Sequence, residues 1–220
     1  MDNKKEIIKK INSMSGSQSP YNIFCDWIEL MALVIANSLC IIHSRTWHER
    51  EKRYIQIAEK YSKDDMHNFV TMFAWLTKSF EEKTSDILGE IYMESGCGNK
   101  NTGQFFTPYN VSLMTAETSI PKDYDGSYPL TVSEPSCGGG GMIIAFADIL
   151  KRKGLNYQQC MRVVALDLDW KGVYMCYVQL SLLGIDAVVV QGDTLTDPYI
   201  SGHYPQNRIF RTPKNMGLLF

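Results

Sequence analysis

The chain carries little excess charge. Its 22 basic and 24 acidic residues leave a net charge of −2. A protein that grips nucleic acid by itself needs clustered Lys and Arg against phosphate, and that class is disfavoured. None of the six cysteines (25, 40, 97, 137, 160 and 176) stands in a C-x-x-C pair. The four histidines fall at no metal-ligand spacing with them. A zinc site and a disulfide framework are therefore not expected, and the cysteines read as reduced thiols of a cytoplasmic protein. Long apolar runs are also missing. The most apolar stretch, Ile28 to Ile42, is broken by Glu29, Asn37 and Ser38 and is too short to span a bilayer comfortably. It is expected to be a buried helix. The charged start, Met1 to Lys10, lacks the apolar centre of a secretory signal.

What is present is an ordinary globular composition, 45% apolar and 21% charged over 220 residues. That length suits one good core, or a domain with a helical extension. Ser15 to Ser19 read as a linker, and Pro20 opens a helical region. Phe24, Trp27, Ile28, Met31, Val34, Ile35 and Leu39 recur at three-to-four spacing, one buried face of a helix. Arg45 to Lys63 mixes both charge signs around a narrower stripe of Trp47, Tyr54, Ile57, Ala58 and Tyr61. It reads as a solvated helix face, with phosphate contact as the alternative. Asp64 or Asp65 is expected to cap a third helix whose face is Phe69, Met72, Phe73, Leu76 and Phe80. The first eighty or so residues thus suggest a small helical bundle.

The rest of the chain turns on Leu130 to Ala147. A short β-rich run, Leu130 to Val132, meets Glu134-Pro135-Ser136-Cys137 and four consecutive glycines, Gly138 to Gly141. An apolar helical run follows from Met142. Strand, glycine turn and helix together are the architecture of a nucleotide-cofactor site, in which the helix start points free N–H groups and a positive dipole end at an anion. The helix Met142 to Lys153 is expected to stop at Gly154. Met161 to Leu166 reads as a second buried strand ending in Asp167-Leu168-Asp169. An acidic residue there is where such folds hold ribose hydroxyls, which points to Asp167, with Leu168 against the adenine and Asp169 as cap of the next helix, Trp170 to Leu183. Ile185 to Val190 is a third strand, followed by Gln191-Gly192-Asp193-Thr194-Leu195.

The Glu-Pro-Ser-Cys-Gly-Gly-Gly-Gly segment resembles the first motif of the amino-methylating DNA methyltransferases, and its Cys-containing form resembles the modification subunits of type I restriction systems. Asp86-Ile-Leu-Gly-Glu-Ile-Tyr92 is similar to a segment that those subunits carry just before the cofactor domain. Gly103-Gln-Phe-Phe-Thr-Pro-Tyr109 resembles their cofactor-pocket segment. Aromatic side chains suit a sulfonium cation and an adenine ring, and Pro108 can open a helix over Tyr109 to Ser119. The resemblance runs from about Asp86 to Pro198. It implies an α/β fold: a partial Rossmann-like S-adenosylmethionine-dependent methyltransferase domain over residues 86–220, behind a helical region over residues 1–85. It also implies a cofactor site made of Gln104, Phe105, Phe106, Thr107, Pro108, Glu134, Cys137, Gly138, Gly139, Gly140, Asp167, Leu168 and Asp193, the last accepting from the adenine amino group.

The resemblance breaks at the family's fourth motif, Asn/Asp-Pro-Pro-aromatic, which holds a flipped-out base. No Pro-Pro occurs in the sequence, so no catalytic residue can be assigned. The tail from Thr196 to Phe220 is expected to offer one edge strand near Met216 to Phe220. Three readings follow: a cofactor-binding protein that needs a partner, an active adenine-N6 methyltransferase with a non-standard or partner-completed site, and a non-binding structural or regulatory relic. An open sheet is expected to have its edge covered in a dimer or hetero-oligomer, with DNA bound, if at all, through that partner.

Overall fold

The computed structural model describes residues 2–14, 18–95, 106–199 and 203–218. They divide into two compact units, one of residues 1–83 with 87–105, the other of residues 84–86 with 106–220.

The first unit is helical: α1 (Asn3–Ser13), α2 (Pro20–Ser38), α3 (Arg45–Ala58), α4 (Lys63–Glu82) and α5 (Ile87–Glu94). Helix α1 packs on α4 and α5, and α2 packs on α3. The face expected on α2 buries Phe24, Trp27 and Ile28, and the Trp27 indole N–H donates to the Phe69 carbonyl at 3.2 Å. Two expectations need correction. Helix α4 is capped by Ser62, not by Asp64 or Asp65. The Ser62 hydroxyl accepts from the Asp65 N–H and the Asp65 carboxylate accepts from the Ser62 N–H, a reciprocal capping box. The apolar stretch from Ile28 is not buried to its end, because α2 stops at Ser38 and Ile41 and Ile42 lie exposed beyond it.

The second unit is the α/β part. In order it runs α6 (Tyr109–Ser119), β1 (Leu130–Glu134), α7 (Gly141–Arg152), α8 (Tyr157–Cys160), β2 (Met161–Asp167), α9 (Trp170–Leu182), β3 (Asp186–Gln191) and β4 (Ile209–Arg211). The sheet order is β1-β2-β3-β4. The first three strands are parallel, with Val132 beside Val163 and Val163 beside Ala187, and β4 joins β3 antiparallel. Parallel neighbours require crossovers, which α7 with α8 and then α9 provide. Four successive residues of β3, Ala187 to Val190, are buried, as befits a strand covered on both faces. This is half of a doubly wound sheet, as the order of motifs implied.

The edge strand lies at Ile209–Arg211; of the expected Met216 to Phe220, residues 216–218 form no strand, and Leu219 and Phe220 lie outside the described residues. Phe210 supplies the reason. Its ring sits 5.1 to 6.3 Å from those of Tyr177, Tyr174 and Trp170, and it is almost fully buried. The Thr212 hydroxyl fastens the strand end by donating to the Ile185 carbonyl at 2.7 Å and accepting from the Ala187 N–H. Met216 and Leu218 are exposed in the turn that follows. Strand β4 therefore covers the outer edge of β3, and among the described residues β1 pairs only with β2.

Candidate cofactor site

The carboxyl ends of β1, β2 and β3 bring three separate sequence segments together. Strand β1 runs out at Glu134, whose carboxylate accepts from the Ser136 N–H and shapes the turn that follows. The Cys137 N–H then donates to the Leu166 carbonyl at 2.8 Å, which docks the turn on β2. Gly138 and Gly140 hold φ of +50° and +91°, a left-handed backbone that costs any other residue. A Cβ on Gly138 would also stand 2.9 Å from the Phe106 ring. Phe106 and the glycine turn are therefore close neighbours.

Asp167 is the centre of this junction. Its carboxylate accepts from the Gly138 N–H at 2.7 Å and from the Asp169 N–H at 2.9 Å. Its carbonyl accepts from the Gly192 N–H at 2.9 Å. The Thr194 hydroxyl donates to the Pro135 carbonyl at 2.7 Å, closing the third segment onto the first. Asp169 caps α9, as expected, by accepting from the Lys171 N–H. Leu168, one residue past Asp167, is a large apolar side chain left 67% exposed. The Gln191 side chain donates to the Leu168 carbonyl and fixes its backbone.

Electrostatics separate the polar groups here. The Asp193 carboxyl is held below its ordinary value by the Leu195 N–H and by Thr196, so it stands as a charged acceptor. The Cys137 thiol is pushed well above its usual value by its hydrogen bond with Cys176 and by burial. It is a neutral packing group. No cluster of His, Cys, Asp and Glu able to hold a metal occurs among the described residues.

Of the expected site residues, Phe106, Glu134, Cys137, Gly138, Gly139, Gly140, Asp167, Leu168 and Asp193 lie at or beside the strand ends. Thr107 and Pro108 are exposed just before α6. Gln104 and Phe105 lie outside the described residues. The space beside Gly139 is filled from within, since a Cβ there would meet Met175 at 3.1 Å and Asp86 at 3.6 Å. Three contributors were not among the expected site residues. Gly172 lets the first turn of α9 approach closely, because a Cβ there would come within 3.2 Å of the Gly138 carbonyl oxygen and of the Asp167 carboxyl carbon. Gln179 and Asp86 reach the glycine turn from beneath. The only sequence signal for Gln179 was a polar residue in an otherwise apolar helix face.

The residues fit an S-adenosyl cofactor by their acceptors and one apolar face. An exposed leucine flanks a carboxylate at the second strand end, and a charged acceptor stands at the third. In the helical unit two basic groups of α3 are engaged: Arg45 pairs with Glu49 and Arg53 with Glu29. A cleft of about 450 Å³ in that unit, lined by Asn37, His43, Trp47, Glu51 and Tyr54 among others, holds none of the expected site residues. No helix among the described residues is long and apolar enough to cross a membrane.

Comparison with known proteins bears on the family and the fold. The family model described as N-6 DNA methylase matches residues 83–214, more than half of the chain. No curated protein matches it. Among solved structures the chain is similar to a protein of Listeria monocytogenes assigned to the class I S-adenosylmethionine-dependent methyltransferases. The TM-score is 0.52 at 13% identity, and the match covers 93% of this chain and 61% of that one. At that identity the likeness shows the fold. The chain thus spans about three-fifths of the length of the structure it matches.

Proposed function

Because the chain belongs to the N-6 DNA methylase family, we propose that it binds S-adenosylmethionine at the carboxyl edge of β1, β2 and β3 and serves as the cofactor half of a restriction–modification type adenine-N6 methyltransferase. The observation that carries this reading is the convergence on Asp167. The first segment reaches it through the Gly138 N–H and the third through the Gly192 N–H. In this reading Asp167 accepts from ribose hydroxyls, Leu168 lies on the adenine, and Asp193 accepts from the adenine amino group. Phe106 and the Gly138–Gly140 backbone border the methionine part, with Glu134, Cys137, Thr107 and Pro108 completing the surround. Bound there, S-adenosylmethionine supplies a methyl group on a sulfonium, ready for displacement by a nitrogen lone pair.

No residue of this chain is assigned to holding the target base. In this reading the base pocket and most of the DNA contacts are brought by a partner, placed along the side of β1 that no described residue pairs. The net charge of −2 supports that division of labour. The test is incubation with methyl-labelled S-adenosylmethionine and unmethylated DNA. The chain alone is expected to retain label without transferring it, and to transfer it once its partner is added. Transfer by the chain alone would overturn the partner requirement, and failure to retain label would overturn the cofactor site itself.

A further inference from the structure

The start of α7 already has an anion beside it, and the chain itself provides it. Asp86 is 5% exposed, and its carboxylate lies so close to Gly141, the first residue of α7, that a Cβ there would stand 2.7 Å from Oδ2. Gln179 of α9 is fully buried. Its side-chain N–H groups donate to the other Asp86 oxygen at 2.7 Å and to the Gly139 carbonyl at 2.7 Å. One amide thus ties the carboxylate to the middle of the glycine turn. The backbone before Asp86 is also held in place. The Tyr109 hydroxyl donates to the Thr84 carbonyl at 3.1 Å, and the Lys151 ammonium donates to the Thr84 hydroxyl at 3.2 Å.

A buried glutamine and a buried carboxylate are costly unless fully used, and an apolar pair of the same shape would pack as well. Here both act on the turn. The carboxylate complements the positive end of the α7 dipole, the place where a phosphate sits in many nucleotide sites. The glutamine holds the Gly139 carbonyl.

We propose that Asp86 and Gln179 are positioning residues that set the glycine turn in its cofactor-binding shape, with Asp86 occupying the anion place at the α7 terminus, so that the site takes a phosphate-free adenosyl cofactor. This rests on the cofactor reading above. It goes beyond that reading by giving the Asp86 segment a role in a site that it does not line.

The test uses the whole chain and three probes: S-adenosylmethionine, S-adenosylhomocysteine and adenosine diphosphate. Wild type is expected to bind the first two and not the third. Gln179→Met, close in shape, is expected to weaken both adenosyl ligands alike by about tenfold, the equivalent of one hydrogen bond. Asp86→Asn is expected to do the same. Without any ligand, amide hydrogen exchange in both variants is expected to quicken at residues 138–143 and stay unchanged across β2 and β3. Unaltered affinities in variants that remain folded, together with unaltered exchange at the turn, would overturn the inference while leaving the cofactor reading intact. Wild type that binds adenosine diphosphate as well as S-adenosylmethionine would overturn the anion-place argument. Wild type that binds none of the three would overturn the cofactor reading instead, and the exchange data would still decide whether these two residues set the turn.

Discussion

The Gly138 amide and the Asp167 carboxylate, 29 residues apart, are joined by a 2.7 Å hydrogen bond. The bond makes the end of β2 the support for the turn that follows β1. The residue proposed to hold the cofactor ribose thereby also holds the backbone proposed to border its methionine part.

Replacing Asp167 with Ala removes the acceptor of the Gly138 and Asp169 N–H groups together with the proposed ribose acceptor. Loss of charge-assisted hydrogen bonds of this kind is worth about 1–3 kcal/mol. Urea unfolding and S-adenosylmethionine titration are both expected to show a loss of that order. Asp167→Asn, which keeps one acceptor oxygen, is expected to fall between the parent and Ala.

Gly138→Ala is expected to destabilise more than Gly154→Ala. Both positions have positive φ, +50° and +78°, and each pays roughly 1–2 kcal/mol for a left-handed backbone. Only at Gly138 does the new methyl also meet a ring, with Phe106 2.9 Å away, whereas nothing lies within 4 Å at Gly154. Denaturation midpoints of the two variants measure the difference. Equal losses would mean that Phe106 yields freely.

Thiol labelling of the folded protein is expected to separate the cysteines. Cys137, Cys160 and Cys176 are buried and Cys25 and Cys40 are half-exposed, so a disulfide reagent at pH 8 is expected to modify the latter pair first. The raised Cys137 pKa also has a stability consequence. A thiol neutral in the fold and freer to ionise when unfolded contributes stability that is complete below its unfolded value of 9.0 and declines as pH rises above it. Cys137→Ala is expected to flatten the alkaline limb of a stability–pH curve.

Asp193 predicts the opposite limb. Its folded pKa lies below the ordinary 3.8, so its contribution is present above that value and is lost only as pH falls through the lower folded value. The ratio of S-adenosylmethionine affinities between the parent and Asp193→Asn is expected to stay constant from about pH 5 to pH 8. A ratio that collapses near pH 6 would show that Asp193 titrates far higher than its backbone partners imply.

The pieces legible in the sequence were those written in local chemistry. The Asp169 cap and the helix from Tyr109 to Ser119 each depend on neighbours within a few residues, and the structure places both as read; the glycine turn was legible from its four consecutive glycines, although its shape rests on Asp167, 29 residues on. Strand β4 was misplaced because Ile209, Phe210 and Arg211 are too few to show a period, and what makes them a strand is the aromatic packing of Phe210 on Tyr177. The α4 cap went to Ser62 because its hydroxyl and Asp65 satisfy each other, an arrangement that a search for one capping acid overlooks. Gln179 and Asp86 are 93 residues apart, Asp86 lies outside any helix, and no periodicity of α9 announces a bond between them.

The most direct measurement is calorimetric titration of the purified chain with S-adenosylmethionine, with S-adenosylhomocysteine alongside. A saturable one-site isotherm in the micromolar range, an affinity near −8 kcal/mol, lost in step with the Asp167→Ala change, is the expected result. Heat no greater than dilution, from protein shown to be folded, would contradict the cofactor site and leave the third reading, a structural or regulatory relative, in its place.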